Sequence, residues 1–78
     1  MITTKIIEKV SALTKIPVEE FTPDTELYNS TVISSLRLLE LMSFIEEEYS
    51  IIINPQELIE ANFKDINTLS EFISKKCR

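Results

Sequence analysis

Between Ser34 and Tyr49, in SSLRLLELMSFIEEEY, apolar side chains recur at helical rather than strand spacing. At about 100° per residue, Leu38, Leu41, Met42, Ile45 and Tyr49 fall on one broad face, while Glu40, Ser43 and Glu47 mark the opposite one. A stripe this wide has to be covered by other elements, and the chain must supply them within 78 residues. A chain of that length is expected to form a single domain, residues 1–78, and buries only about 60% of its unfolded surface. There is room for one small core and none for a deep, walled active site. Leu36 and Phe44 project toward the polar side of the same helix, which burial alone does not explain.

The partner elements are helical too. Ile6, Val10 and Leu13, with Ile7 beside them, place a first helix from near Thr4 to Lys15, with Thr3 or Thr4 as its cap. Pro17 and Pro23 bracket a long connection, PVEEFTPDTELYNSTVI, with a short helical turn expected at Val18 to Phe21. Phe21, Leu27, Val32 and Ile33 are expected to pin it to the core, because an unanchored loop of that length is unusual in a compact domain. Further on, Asn54 as cap, Pro55 as first helical residue and Glu57 as the returning member of a capping box start a short helix, about Pro55 to Ala61. Ile53 and Leu58 sit at its staple positions. A last helix starts at Asn67 or Thr68, where Thr68 and Glu71 have capping-box spacing. Leu69, Phe72 and Ile73 form its stripe, and Lys75 and Lys76 suit its negative end. The β-prone run SIII at 50–53 has no partner strand. The expected class is all-α: three longer helices and one short one, with a long loop between helices one and two.

Composition removes several function classes. The chain has no histidine and no glycine, which excludes Ser-His and Cys-His nucleophile systems, the P-loop and the dinucleotide loop. Its single cysteine, Cys77, cannot form an internal disulfide, and no cysteine or histidine cluster suggests a metal site. Thirteen acidic against eight basic residues give a net charge of −5, which disfavours nucleic-acid binding and favours a self-repelling monomer able to dock on basic partners. With no signal-peptide pattern and no membrane-spanning run, the expectation is a cytoplasmic, non-catalytic domain.

Ser34 and Ser35 stand at the mouth of the second helix. Serine is among the best N-cap residues, so local physics alone explains the pair as a helix start. A serine hydroxyl can also be a covalent attachment point activated by another enzyme's active site. It must then be exposed at the end of an element, where unpaired amides and the positive dipole end can accommodate a phosphodiester.

From Asp24 to Lys75 the sequence resembles the phosphopantetheine-dependent acyl and peptidyl carrier proteins. Their attachment motif is typically Asp-Ser-Leu, followed by a helix close to xxxELxxxLEEEF. Here TVISSLRLLELMSFIEEEYSIII places Ser35 at the modified serine and Leu36 after it, with Glu40, Leu41, Ile45, Glu46 to Glu48 and Tyr49 in step. DTELYNS resembles the family's preceding loop, and NPQELIEANFKDINTLSEFI its short third helix and final helix. Two residues depart from the pattern. Ser34 stands where the family usually has Asp, and Thr31 where many relatives have Gly.

The resemblance implies an acyl-carrier-like bundle and a stand-alone carrier that performs no chemistry itself. Its implied cofactor is 4′-phosphopantetheine, donated by coenzyme A and held covalently on Ser35. Its implied partners are a holo-acyl-carrier-protein synthase (a phosphopantetheinyl transferase) and acyl- or aminoacyl-loading and condensing enzymes of fatty acid, polyketide or nonribosomal peptide biosynthesis. Those partners would read the exposed side of the second helix, with Leu36 and Phe44 as apolar anchors and Glu40, Glu46 and Glu47 as docking charges. Arg37 interrupts that acidic surface and hints at dedicated partners; Ser34 is left as the helix cap. The rival expectation is a carrier-like bundle that is never modified and serves as a docking domain. Ser34 in place of Asp is its main support.

Overall fold

The computed structural model describes residues 2–28 and 33–77, with Ser35 described by its backbone. Four α-helices follow in order: α1 (Ile2–Thr14), α2 (Ser35–Tyr49), α3 (Glu60–Phe63) and α4 (Ile66–Lys76). Single 3₁₀ turns cover Val18–Glu20 and Pro55–Glu57. The all-α class, with three longer helices and a short one, is the observed class. Among the described residues the only strand-like feature is an isolated antiparallel bridge between Glu26 and Asp65.

One core joins the elements. Ile6 and Val10 of α1, Leu38, Leu41 and Ile45 of α2, Phe63 of α3, and Ile66, Leu69 and Ile73 of α4 are all buried in it. Met42 and Tyr49 pack at its edge, half-buried. Phe72 leans on Phe63, with ring centroids 5.8 Å apart and planes tilted by 50°. Between α1 and α4 the Thr3 hydroxyl donates to Ser70 Oγ at 3.0 Å, and Ser70 donates on to the Ile66 carbonyl at 2.8 Å. Buried hydroxyls that pass a hydrogen bond back to the main chain leave no orphaned polar group in this contact.

The long loop is held to the N-terminus of α4. Leu27 N donates to Lys64 O at 2.8 Å, while Ile66 N and Asn67 N donate to the carbonyls of Thr25 and Pro23 at 3.2 and 2.8 Å. The Asp65 carboxylate accepts from Thr68 N at 2.7 Å. The first turn of α4, whose amides have no carbonyl one turn back, is thereby satisfied by the loop and by its own cap. Phe21, Leu27 and Ile33 are buried, which anchors the loop as expected; Val32 and Thr31 lie outside the described residues.

Several boundaries differ from the sequence expectation. Thr3 and Thr4 lie inside α1 rather than capping it, because Thr3 is used for the contact with Ser70. The cap of α4 is Asp65, not Asn67 or Thr68. The helix expected over Pro55 to Ala61 is broken: Leu58 (ψ 71°) and Ile59 (φ −129°, ψ 160°) are non-helical between the 3₁₀ turn and α3. Glu57 does return to accept from Asn54 N at 2.9 Å, and it also pairs with Lys76 Nζ at 2.8 Å. In a chain without glycine, Lys15 (φ 62°) and Ser50 (φ 54°) take the left-handed positions that end α1 and α2. Each forgoes the freedom a glycine would have there.

Two outcomes follow from this packing. Ile73→Val should cost about 0.5–1.5 kcal/mol in urea unfolding, because Ile73 is fully buried. Ile52→Val, at a side chain that is 74% exposed, should stay within about 0.5 kcal/mol. The carboxyl of Asp65 is held below its ordinary value, chiefly by the Thr68 amide, and that of Glu57 chiefly by Lys76. Groups with lowered folded pKa stabilise the fold above their unfolded values and lose that contribution as pH falls through their folded ones. Stability should therefore decline below about pH 5. Asp65→Asn, which keeps a cap but cannot titrate, should show a shallower decline in denaturation curves taken across that range.

Candidate functional site

The entrance to α2 is built locally. Ser34 is extended (φ −80°, ψ 168°), its hydroxyl accepts from Arg37 N at 3.3 Å, and its carbonyl accepts from Leu38 N at 2.9 Å. Ser34 is thus the N-cap, and Ser35 is the first helical residue. Helix geometry leaves the amides of Ser35 and Leu36 directed out of the N-terminal end, with no carbonyl one turn back. Ser34 and Leu36, on either side of Ser35, are exposed, and the first turn of α2 contains no acidic residue.

The outer face of α2 sorts the expected contact residues into two groups. Leu36 is 64% exposed and Leu39, one turn on, is 47% exposed. Arg37 Nη1 pairs with Glu40 Oε1 at 2.9 Å, both side chains well exposed. Glu47 is also exposed. Phe44 behaves differently: it is half-buried against the core, with Lys9 Nζ 5.2 Å from its ring centroid. The apolar side chain exposed beside Leu36 on this face is therefore Leu39, while Phe44 is partly covered. The signal was present in the sequence, since Leu36 and Leu39 are three apart and share a helix face.

The acidic trio also divides. Glu46 turns inward, and its carboxylate accepts from Ile53 N at 2.8 Å, fixing the segment that leaves α2. Glu46, expected as a docking charge, is thus engaged within the chain as an acceptor. Glu48 pairs with Lys5 Nζ at 2.8 Å and ties α1 to α2. That hydrogen bond is the main cause holding the Lys5 ammonium above its ordinary pKa. Nearby, burial raises the pKa of Tyr49, whose hydroxyl has no hydrogen-bond partner among the described residues. Glu47 and Glu48 are both exposed, but Glu48 is paired with Lys5.

The arrangement suits presentation rather than catalysis. No histidine exists in the chain to act as a base, and Ser34, the cap of α2, is exposed. The surroundings do fit an attached phosphodiester: a helix start, exposed neighbours, and no carboxylate in the first turn to repel it. No helix among the described residues is long and apolar enough to cross a membrane.

The family model described as "Phosphopantetheine attachment site" matches residues 4–73. Comparison with curated proteins finds no match.

The division of the acidic trio is measurable. Glu46→Ala should cost about 1.5–3 kcal/mol, the range for a hydrogen bond to a charged group, and should speed exchange of the Ile53 amide. Glu47→Ala should stay within about 0.5 kcal/mol and leave that amide unchanged.

Proposed function

This chain belongs to the phosphopantetheine-attachment family, and from that premise we propose that Ser35 carries the arm and that the outer face of α2 presents it to partner enzymes. A carrier of this family is not an enzyme; 4′-phosphopantetheine is bound covalently and serves as its cofactor. The observation that carries the choice of serine is the helix start. Ser34 is engaged as cap, whereas Ser35 occupies the first helical position with a leucine after it, as in the family's motif.

In the loading step, Ser35 Oγ forms a bond to the phosphorus that links pantetheine to the nucleotide in coenzyme A. The phosphoanhydride bond breaks, adenosine 3′,5′-bisphosphate leaves, and the hydroxyl proton passes to a base of the transferase. This chain contributes position: Ser35 is the first residue of α2, between exposed neighbours, and the helix dipole favours the phosphodiester product. When bound, the arm supplies a terminal thiol that holds an acyl, aminoacyl or peptidyl group as a thioester. Leu36 and Leu39 offer apolar contact to partners, with Arg37, Glu40 and Glu47 as charges around it.

Incubation with coenzyme A, magnesium and a broad-specificity holo-synthase, followed by intact mass, tests the assignment. One phosphopantetheine addition is expected, retained in Ser34→Ala and absent in Ser35→Ala. Addition at Ser34 would overturn the register. Absence of addition with every synthase, including the host's own, would favour an unmodified docking domain. For the face, Arg37→Asp should change the rate with a cognate partner enzyme while shifting stability little, since a surface pair is worth about 0–1 kcal/mol.

A further inference from the structure

The N-terminus of α2 is electrostatically incomplete. It carries the positive end of a 15-residue helix, and its first turn holds a cation, Arg37, and no acid. Its cap is a neutral hydroxyl at 3.3 Å. By contrast, α4 starts on a carboxylate, Asp65, at 2.7 Å, and its next two amides are taken by loop carbonyls. A cation in the first turn opposes the dipole and lowers helix stability. The anion Arg37 does have, Glu40, lies one turn further in, where it cannot offset the dipole's positive end.

Resting on the assignment of Ser35 above, we propose that the phosphodiester of the arm is the missing counter-charge of α2, with Arg37 as the positioning residue that responds to it. Loading then does more than attach a cargo arm. It adds one negative charge at the first helical position, two residues before Arg37 and about 200° round the helix axis from it, with the two Cα atoms about 5 Å apart. That is well inside the screening length of about 8–10 Å. The charge acts favourably on the dipole and on the guanidinium together. The exposed Arg37–Glu40 pair is weak enough to yield part of its interaction to the new anion. The loaded carrier therefore has a firmer α2 entrance than the unloaded one, and the face that partners read is stiffened by the modification itself. Ser34 gains a role here: an acid at the cap position would already supply the charge and leave less for loading to add.

The test compares melting temperatures of unloaded and loaded wild type, Arg37→Gln, Arg37→Lys and Ser34→Asp, with loading verified by intact mass. Loaded wild type should melt about 2–6 °C higher at low salt, and the increment should shrink at about 0.5 M salt. Arg37→Gln should lose about half of the increment and Arg37→Lys should keep most of it. Ser34→Asp should raise the unloaded form and reduce the increment. On loading, the Arg37 Nε–H resonance should move while that of Arg78, the only other arginine, stays in place. A loading-independent arm uses Ser35→Glu against Ser35→Gln: the glutamate should melt higher, by an amount that Arg37→Gln reduces. Equal melting of loaded and unloaded wild type would overturn the proposal, as would increments indifferent to Arg37. Failure of the attachment assignment shows separately, as a missing mass addition.

Discussion

The arrangement depends first on where the leading amides of α4 find their acceptors. Ile66 and Asn67 donate to Thr25 and Pro23, and Thr68 to Asp65, so the middle of the long connection doubles as the cap of a distant helix. Without those bonds two orphaned amides would sit beside the core, and the connection would lose its main-chain tether. With them, Phe21 is buried on one side of the tether, and Leu27 and Ile33 on the other. The part of the long connection nearest Phe21 and Leu27 is thus placed by contacts made about forty residues further along the chain.

This explains which parts of the fold could be seen in the sequence. For α2 the signals are local: a serine cap, a helical stripe and a run of helix formers, and its limits agree with that pattern. The start of α4 is not local. Asp65 caps it because Thr25 and Pro23 supply the acceptors next to it, and no short-range signal reports a carbonyl forty residues earlier. Likewise Asn54, Pro55 and Glu57 announce a helix that they begin but cannot propagate. No amphipathic repeat follows them, and Leu58 and Ile59 leave helical geometry. Among Glu46, Glu47 and Glu48 the sequence offers three equivalent carboxylates. Their separate jobs come from what folds against them, the Ile53 amide for one and Lys5 for another.

The candidate site follows the same rule. Ser34 as the cap and Ser35 as the first helical residue were legible because capping acts over a few residues. Phe44 is more covered than its helical angle suggests, because α1 brings Lys9 over its ring. Leu39 was overlooked because it lies at the margin of the apolar stripe, where burial depends on how closely neighbouring elements approach. Its exposure beside Leu36 is a property of the assembled bundle, which leaves that margin uncovered.

The length of α2 has a consequence of its own. Fifteen residues at 1.5 Å each separate Ser35 from Tyr49 by about 21 Å. The polar Glu48–Lys5 and Glu46–Ile53 contacts of α2 gather at the far end from the serines. Substitutions that far apart with no shared partner combine nearly additively. Substitutions of the exposed Leu36 and Arg37 can therefore accumulate without drawing on those polar contacts, provided buried Leu38 beside them is kept. A lineage built on this helix is free to change its associates while keeping its frame.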